Sequence, residues 1–153
     1  NYWSQGFSSL RHWNFVYDCL EELNNELSSI GQPLIVKKGS AANIFKDIQS
    51  IFKIKKVFAH EETSNNWGRK ENLFFKNWFD ENQIEFIECP TNGVIRGLKS
   101  RDDWIKIKNQ RLFSDVISSP IRVKKIEHYK SDLISRKSII FEENLIFNAQ
   151  KGG

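Results

Sequence analysis

His60, Glu61, Glu62 and Thr63 form the most chemically loaded run of this chain. They follow the short apolar stretch Val57, Phe58, Ala59, so they fall just past the C-terminal end of an expected strand, where open α/β sheets gather their ligand sites. An imidazole beside two carboxylates invites a metal. A helical two-histidine site needs its histidines four residues apart, however, and His12 and His128 stand far off in the sequence, so no metal is expected. Two readings of the run stay open. It is either a polar turn whose carboxylates suit the dipole of the helix that follows, or a contact for a ligand or a second domain.

The segment 92–104 is the least generic. It puts Gly93 and Gly97, the cations Arg96, Lys99 and Arg101, and Trp104 into one loop that opens with Asn92. Arginine offers a planar fork and tryptophan a stacking face, which suits an anionic or aromatic partner. A loop clamped onto its own domain through Asp102, Asp103 and Trp104 explains the same residues. Gly39, Ser40, Ala41 and Ala42 make a strand-to-helix turn, and a helix N-terminus there can take an anion. Neither G-x-G-x-x-G nor G-x-x-x-x-G-K-[ST] occurs, so a plain tight turn is the favoured reading. No G-x-S-x-G, no cysteine with a nearby histidine in sequence and no spaced acid pair is present, so no catalytic role is read for this chain alone.

The elements that must position these residues alternate. Ser8 or Ser9 caps a helix over 11–30, with Phe15, Val16, Cys19, Leu20, Leu23, Leu27 and Ile30 as one apolar stripe. Gly31 fits the left-handed position that ends it, and Pro33 forbids continuation. Leu34, Ile35 and Val36 read as a short buried strand. A second helix follows Gly39 and Ser40, with Ile44, Phe45, Ile48, Ile51 and Phe52 inward. A strand over 57–59 leads to a third helix over 67–82, with Leu73, Phe74, Trp78 and Phe79 facing inward. A further strand covers 84–87. Strands and helices alternating with short links argue for a doubly wound parallel sheet. Past Pro90 the periodicity fades: 114–120 is turn-like, 121–137 is basic, 139–141 and 145–147 are short apolar pieces, and 150–153 reads as a linker.

Composition bounds the class. The chain has 153 residues, 39% hydrophobic and 27% charged, as one ordinary domain has. No stretch approaches the roughly 20 apolar residues of a membrane span, and the first residues show no signal-peptide pattern. Cys19 and Cys89 are the only cysteines, and two free thiols in a cytoplasmic protein are expected. The net charge of +4 is unevenly spread. Residues 1–91 hold 10 Lys/Arg against 12 Asp/Glu, whereas 92–137 hold 12 against 5. That basic stretch is either a solvated face or a surface for a phosphate backbone.

Four strings carry a family resemblance. Tyr2, Trp3, Ser4 and Gln5 precede Arg11, His12, Trp13 and Phe15; Gln32, Pro33, Leu34, Ile35 and Val36 precede Gly39; His60, Glu61, Glu62 and Thr63 precede Asn65 and Trp67; and the loop 92–104 follows. In this order they resemble the N-terminal α/β domain of the photolyase/cryptochrome family, well over 2–113 and faintly beyond. Arg69, Glu71 and Asn72 stand where relatives carry an aromatic and an Arg-Asp pair, and Gly39-Ser40 stands where many have Gly-Asp.

The resemblance implies a Rossmann-like doubly wound parallel sheet without its first two strands. Residues 1–113 would be a partial α/β domain, and 114–153 an irregular basic extension running into an interdomain linker. It implies a piece of a flavoprotein that repairs pyrimidine dimers in DNA with light, as a carbon-carbon lyase, or that senses blue light. Its FAD would sit in a C-terminal helical domain outside this chain, which alone would be non-catalytic. A pterin or deazaflavin antenna is possible in the family. His60, Glu61, Glu62, Asn65, Trp67, Asn92, Arg96, Lys99, Arg101 and Trp104 are the candidate antenna or interdomain contacts. The expected partners are the flavin domain and damaged DNA, with no membrane, in the cytoplasm. The rival reading is a stand-alone nucleotide-binding α/β module of the universal-stress or electron-transfer-flavoprotein sort. With strand order 3-2-1-4-5 and strands 1 and 2 missing, strand 3 would have no bridge to strand 4, and each unmade buried backbone bond costs about 1–3 kcal/mol. Residues 1–153 alone are therefore expected to unfold in urea over a broad transition with a small m-value; a steep transition with a large m-value contradicts this.

Overall fold

The computed structural model describes residues 2–4, 6 and 8–139. The expected apolar residues at 140–141 and 145–147 and the expected linker at 150–153 lie outside them. The chain divides into two compact units, one spanning 39–117 and the other joining the chain up to 38 with the chain from 118 onward. The fold is α/β, with four helices and a two-stranded parallel sheet among the described residues. No described helix is long and apolar enough to cross a membrane.

The unit 39–117 carries α2 (Ala41–Ile51), β1 (Lys56–His60), α3 (Asn66–Glu81), β2 (Glu85–Cys89) and α4 (Trp104–Leu112). The strands run parallel with Lys56 opposite Glu85, Val57 opposite Phe86 and His60 opposite Cys89. The ladder continues one step at each end, where Glu85 N–H donates to Lys55 C=O at 3.0 Å and Glu61 N–H to Cys89 C=O at 2.8 Å. Parallel strands need a crossover, and α3 supplies it. Its start is set by Asn65, whose side-chain oxygen accepts from Gly68 N–H at 2.9 Å. Its end is set by Gln83 in the left-handed region at φ 57° and by Asn82, whose amide donates to Trp78 C=O at 2.7 Å.

Phe79, 1% exposed, is the centre of this unit. Its ring lies 4.8 Å from Phe45 on α2, 5.3 Å from Trp78 and 5.1 Å from Phe86 on β2. Ile84 closes the cluster, with Ile54, Val57 and Phe75 packed against it. Leu73 and Phe74, expected inward, are 60% and 49% exposed; the inward arc of α3 is Phe75, Trp78 and Phe79. Period alone leaves the phase of a helix rich in aromatics ambiguous, and the packing of Phe79 under both strands decides it. Ile51 of the expected α2 stripe is also exposed. Strand residues alternate between faces, so Phe58 points away from this core and is 67% exposed. α4 has no signature in the sequence, because its apolar positions Ile105, Ile107 and Leu112 form no continuous stripe.

The other unit holds a short 3₁₀ turn, Tyr2–Ser4, and α1 (Leu10–Ser29). Ser9 Oγ accepts from His12 N–H at 3.4 Å and caps α1. At the far end Gly31 N–H donates to Ser28 C=O at 3.2 Å and Gln32 N–H to Leu27 C=O at 3.1 Å, a Schellman closure. Gly31 has φ 111°, and a Cβ there would stand 2.8 Å from Val123 C=O, so only glycine fits. Trp13, not the expected stripe, is the most buried residue of α1, while Phe15 and Leu23 of that stripe are largely exposed. The Trp13 ring lies 5.2 Å from Trp3 and 6.1 Å from Tyr17, and its indole N–H donates to Arg136 C=O at 2.9 Å. Arg136 in turn pairs with Asp18.

Leu34, Ile35 and Val36 form no strand, contrary to expectation. Their bonds are scattered rather than a ladder: Leu34 N–H donates to Asn24 Oδ1 at 3.0 Å, and the rest come from the basic stretch. Asp132 N–H donates to Val36 C=O at 2.8 Å, Val36 N–H to Ser131 Oγ at 2.9 Å, and Val123 N–H to Ile30 C=O at 2.8 Å. The Asp132 carboxylate takes Lys37 Nζ and Lys38 N–H, both at 2.7 Å.

Phe79→Ala removes the ring on which both strands rest and is expected to cost about 3–5 kcal/mol. Leu73→Ala on the exposed arc of the same helix should stay within about 0.5 kcal/mol. Urea midpoints of the two variants check this, and equal losses would contradict the assignment of the inward face.

Candidate functional site

The parallel register brings two acidic residues to one edge. Glu61 stands one residue past β1, and Glu88 lies near the end of β2. Glu88 shares its face with Phe86 and so looks toward α3, where Asn72 donates to its Oε1 at 3.0 Å. The loop after β2 then places Arg96 across the gap. Arg96 Nε donates to Glu61 Oε1 at 2.9 Å, and its Nη2 reaches Glu88 Oε1 at 2.8 Å. From α4, Arg111 Nη1 donates to Glu61 Oε2 at 2.8 Å and to Val94 C=O at 2.7 Å.

The two carboxylates are only 11% and 14% exposed, whereas the Arg96 side chain is 34% exposed. Charges this covered interact in a reduced dielectric, so the cluster outweighs an ordinary surface pair. The hydrogen bond from Arg96 holds the Glu88 carboxyl below its ordinary range against the opposing effect of burial, with help from Asn72. The same bond, with that to Glu61, pushes the Arg96 guanidinium further toward its protonated form. Both carboxylates are committed to cations, so neither is a free general base. The arrangement fixes one loop against another.

A second set of bonds ties the loops together. Asn92 Nδ2 donates to Thr63 Oγ1 at 2.9 Å, and its Oδ1 accepts from Val94 N–H at 2.9 Å. Trp104 donates its indole N–H to Gly93 C=O at 3.0 Å, with Lys108 Nζ 4.8 Å above its ring. A Cβ on Gly93 would meet Lys108 Cγ at 2.6 Å. Of the two openings for 92–104, Trp104 thus serves the clamp onto its own unit.

The remaining candidates disperse. Glu62 accepts from both N–H and Oγ of Ser64 at 2.6 Å, so it closes its own turn and leaves the helix cap to Asn65. Trp67 is half-buried at the start of α3. His60 is exposed and faces away from the cluster, in register with Cys89, so strand pairing brings together a cysteine and a histidine that lie far apart in sequence. Lys99 and Arg101 are exposed, and neither side chain has an ion-pair partner among the described residues. Among the described residues no group of three or more His, Cys, Asp or Glu is placed to hold a metal.

Sequence reasoning missed Asn72, Glu88 and Arg111 as members of the cluster. Glu88 had a signal, an acid on the same strand face as Phe86. Arg111 had one too, as the residue seven beyond Trp104 on one helical face.

Replacing Arg96 with Gln should cost about 1–3 kcal/mol, the scale of hydrogen bonds to charged groups. A carboxyl held below its ordinary value of 4.5 stabilises the fold above that pH. The contribution is lost as pH falls through the lowered folded value. The cost of Arg96→Gln should therefore be full near neutrality and shrink below about pH 4, while carboxyl NMR should show the Glu88 pKa rising in the variant. An unchanged Glu88 titration would contradict the bridge.

The loops joined here, 60–67 and 92–104, are also two of the strings that carry the family resemblance. The family model for DNA photolyase matches residues 2–101. No curated protein and no solved structure matches the chain. With about two-thirds of its length inside that match, covering β1, α3, β2 and the Arg96 bridge, the chain belongs to the DNA photolyase family.

Proposed function

We propose that this chain supplies the antenna-type α/β part of a photolyase/cryptochrome-like flavoprotein. That protein uses light to repair pyrimidine dimers in DNA or to sense blue light, and it works in the cytoplasm. One observation carries the reading: the family match takes in the first loop and the second as far as residue 101, and Arg96 and Asn92 bond those loops into one surface. In this reading β1 and β2 belong to a larger Rossmann-like sheet. The joined loops, with Glu61, Asn92 and Arg96 at their seam, are the surface offered to a pterin or deazaflavin antenna or to the flavin domain.

The described residues do not fit the flavin itself. The groove beside Ser9, Arg11, His12 and Phe15 and the groove along α3 are both open to solvent, and neither encloses a tricyclic ring. In this reading FAD sits in a helical domain outside this chain, and this part is non-catalytic alone. Its residues hold the loop surface in place.

The test is the complete reading frame that contains these residues, expressed and purified. It should carry a flavin absorption that bleaches on photoreduction, and it should remove pyrimidine dimers from an oligonucleotide only under light. Flavin with no repair would assign it to sensing. A complete protein without flavin would overturn the proposal.

A further inference from the structure

α3 carries equal numbers of cations and acids, but they are sorted. Arg69, Lys70 and Lys76 line a groove of about 390 Å³ that also takes in Asn72, Glu88 and Arg96. The acids Glu71, Asp80 and Glu81 of the same helix do not line it. Four cations thus face one carboxylate, and that carboxylate is already bridged by Arg96 and Asn72. None of Arg69, Lys70 and Lys76 makes an ion pair among the described residues.

Like charges gathered in one concavity repel one another, and an anion in it relieves that repulsion. Arg69 and Lys76 stand seven residues apart on one helix face, about 10 Å along the axis. A chain of oxyanions can engage both along that length. Arginine supplies a planar fork and lysine a point charge, the pair of groups that recognises phosphate. Arg96 spends Nε on Glu61 and Nη2 on Glu88, leaving Nη1 without a hydrogen-bond partner among the described residues.

We propose that the groove along α3 binds a ligand bearing two or more adjacent phosphate groups, held by Arg69, Lys76 and Arg96. Such a ligand is either a free nucleoside polyphosphate or successive phosphates of one nucleic-acid strand. The site shares only Arg96 with the loop surface above, so it stands or falls apart from the proposed function.

Binding of inorganic triphosphate, ATP and a short oligothymidylate to the 153-residue chain at low salt tests it, read by titration calorimetry and by NMR shifts of the 66–76 amides. Saturable binding of at least one probe is expected. The exposed-site double variant Arg69→Gln, Lys76→Gln should lose at least about tenfold in affinity with an unchanged circular dichroism spectrum. The double variant Lys124→Gln, Lys125→Gln, which removes two cations outside the groove, should bind as the parent does. Triphosphate and ATP binding without the oligonucleotide identifies a free nucleotide as the source. Oligonucleotide binding with a log-log salt slope of about −2, from three phosphate contacts, identifies a strand. No saturable binding of any probe, or binding indifferent to the α3 variant, overturns the proposal.

Discussion

The bridge that Arg96 makes between Glu61 and Glu88 exists because β1 and β2 run parallel and in one register. Parallel pairing delivers both C-terminal ends to the same edge, so one guanidinium can span a residue just past the first strand and one near the end of the second. An antiparallel pair would put them at opposite ends. The register is set by packing: Val57 and Phe86 lie opposite each other on the face that covers Phe79. A slip by one residue would turn Phe86 out and carry Glu88 to the side of Phe58, away from Asn72. The polar cluster at the edge is thus a consequence of one aromatic ring in the core.

Much of that frame is legible in the sequence. The Ser9 cap, the Gly31 stop and the two strands follow from local chemistry, since caps and left-handed glycines act within a turn and short apolar runs mark buried strands. The phase of α3 is not legible, because Leu73, Phe74, Phe75, Trp78 and Phe79 cover most of the helix circumference and any of several arcs could face inward. Leu34, Ile35 and Val36 mislead for a different reason: apolar character permits a strand but does not supply a neighbour to pair with. The cluster itself is half legible. Glu61, Asn92 and Arg96 stand in unusual strings, whereas Asn72, Glu88 and Arg111 join only through a crossover and a turn whose geometry no local pattern encodes.

One apolar strand residue of the sheet points outward and is exposed. Parallel strands are ordinarily covered on both sides, yet Phe58 of β1 is 67% exposed, while α3 covers the opposite face. Lys56 and Glu85 form an exposed ion pair at the start of the face that carries Phe58, 2.6 Å apart, which adds little stability. Added strands would lengthen the edges of the sheet; covering Phe58 takes a helix layer on that face, which the proposed doubly wound arrangement includes.

Arg96 belongs to two structures at once, the clamp on Glu61 and Glu88 and the wall of the α3 groove. Its guanidinium has a fixed set of donors, so any anion that draws it outward loosens its hold on Glu88. Linkage makes the effect mutual: whatever protonates Glu88 removes a competitor for Arg96 and favours the anion by the same free energy. Lys76 limits the exchange, since its charge also acts on Glu88 and helps keep the carboxylate ionised when Arg96 is shared. Arg111 limits it from the other side by holding Glu61 and Val94 C=O independently of Arg96. The loop after β2 can therefore yield part of its anchorage to a ligand without coming free of the sheet edge.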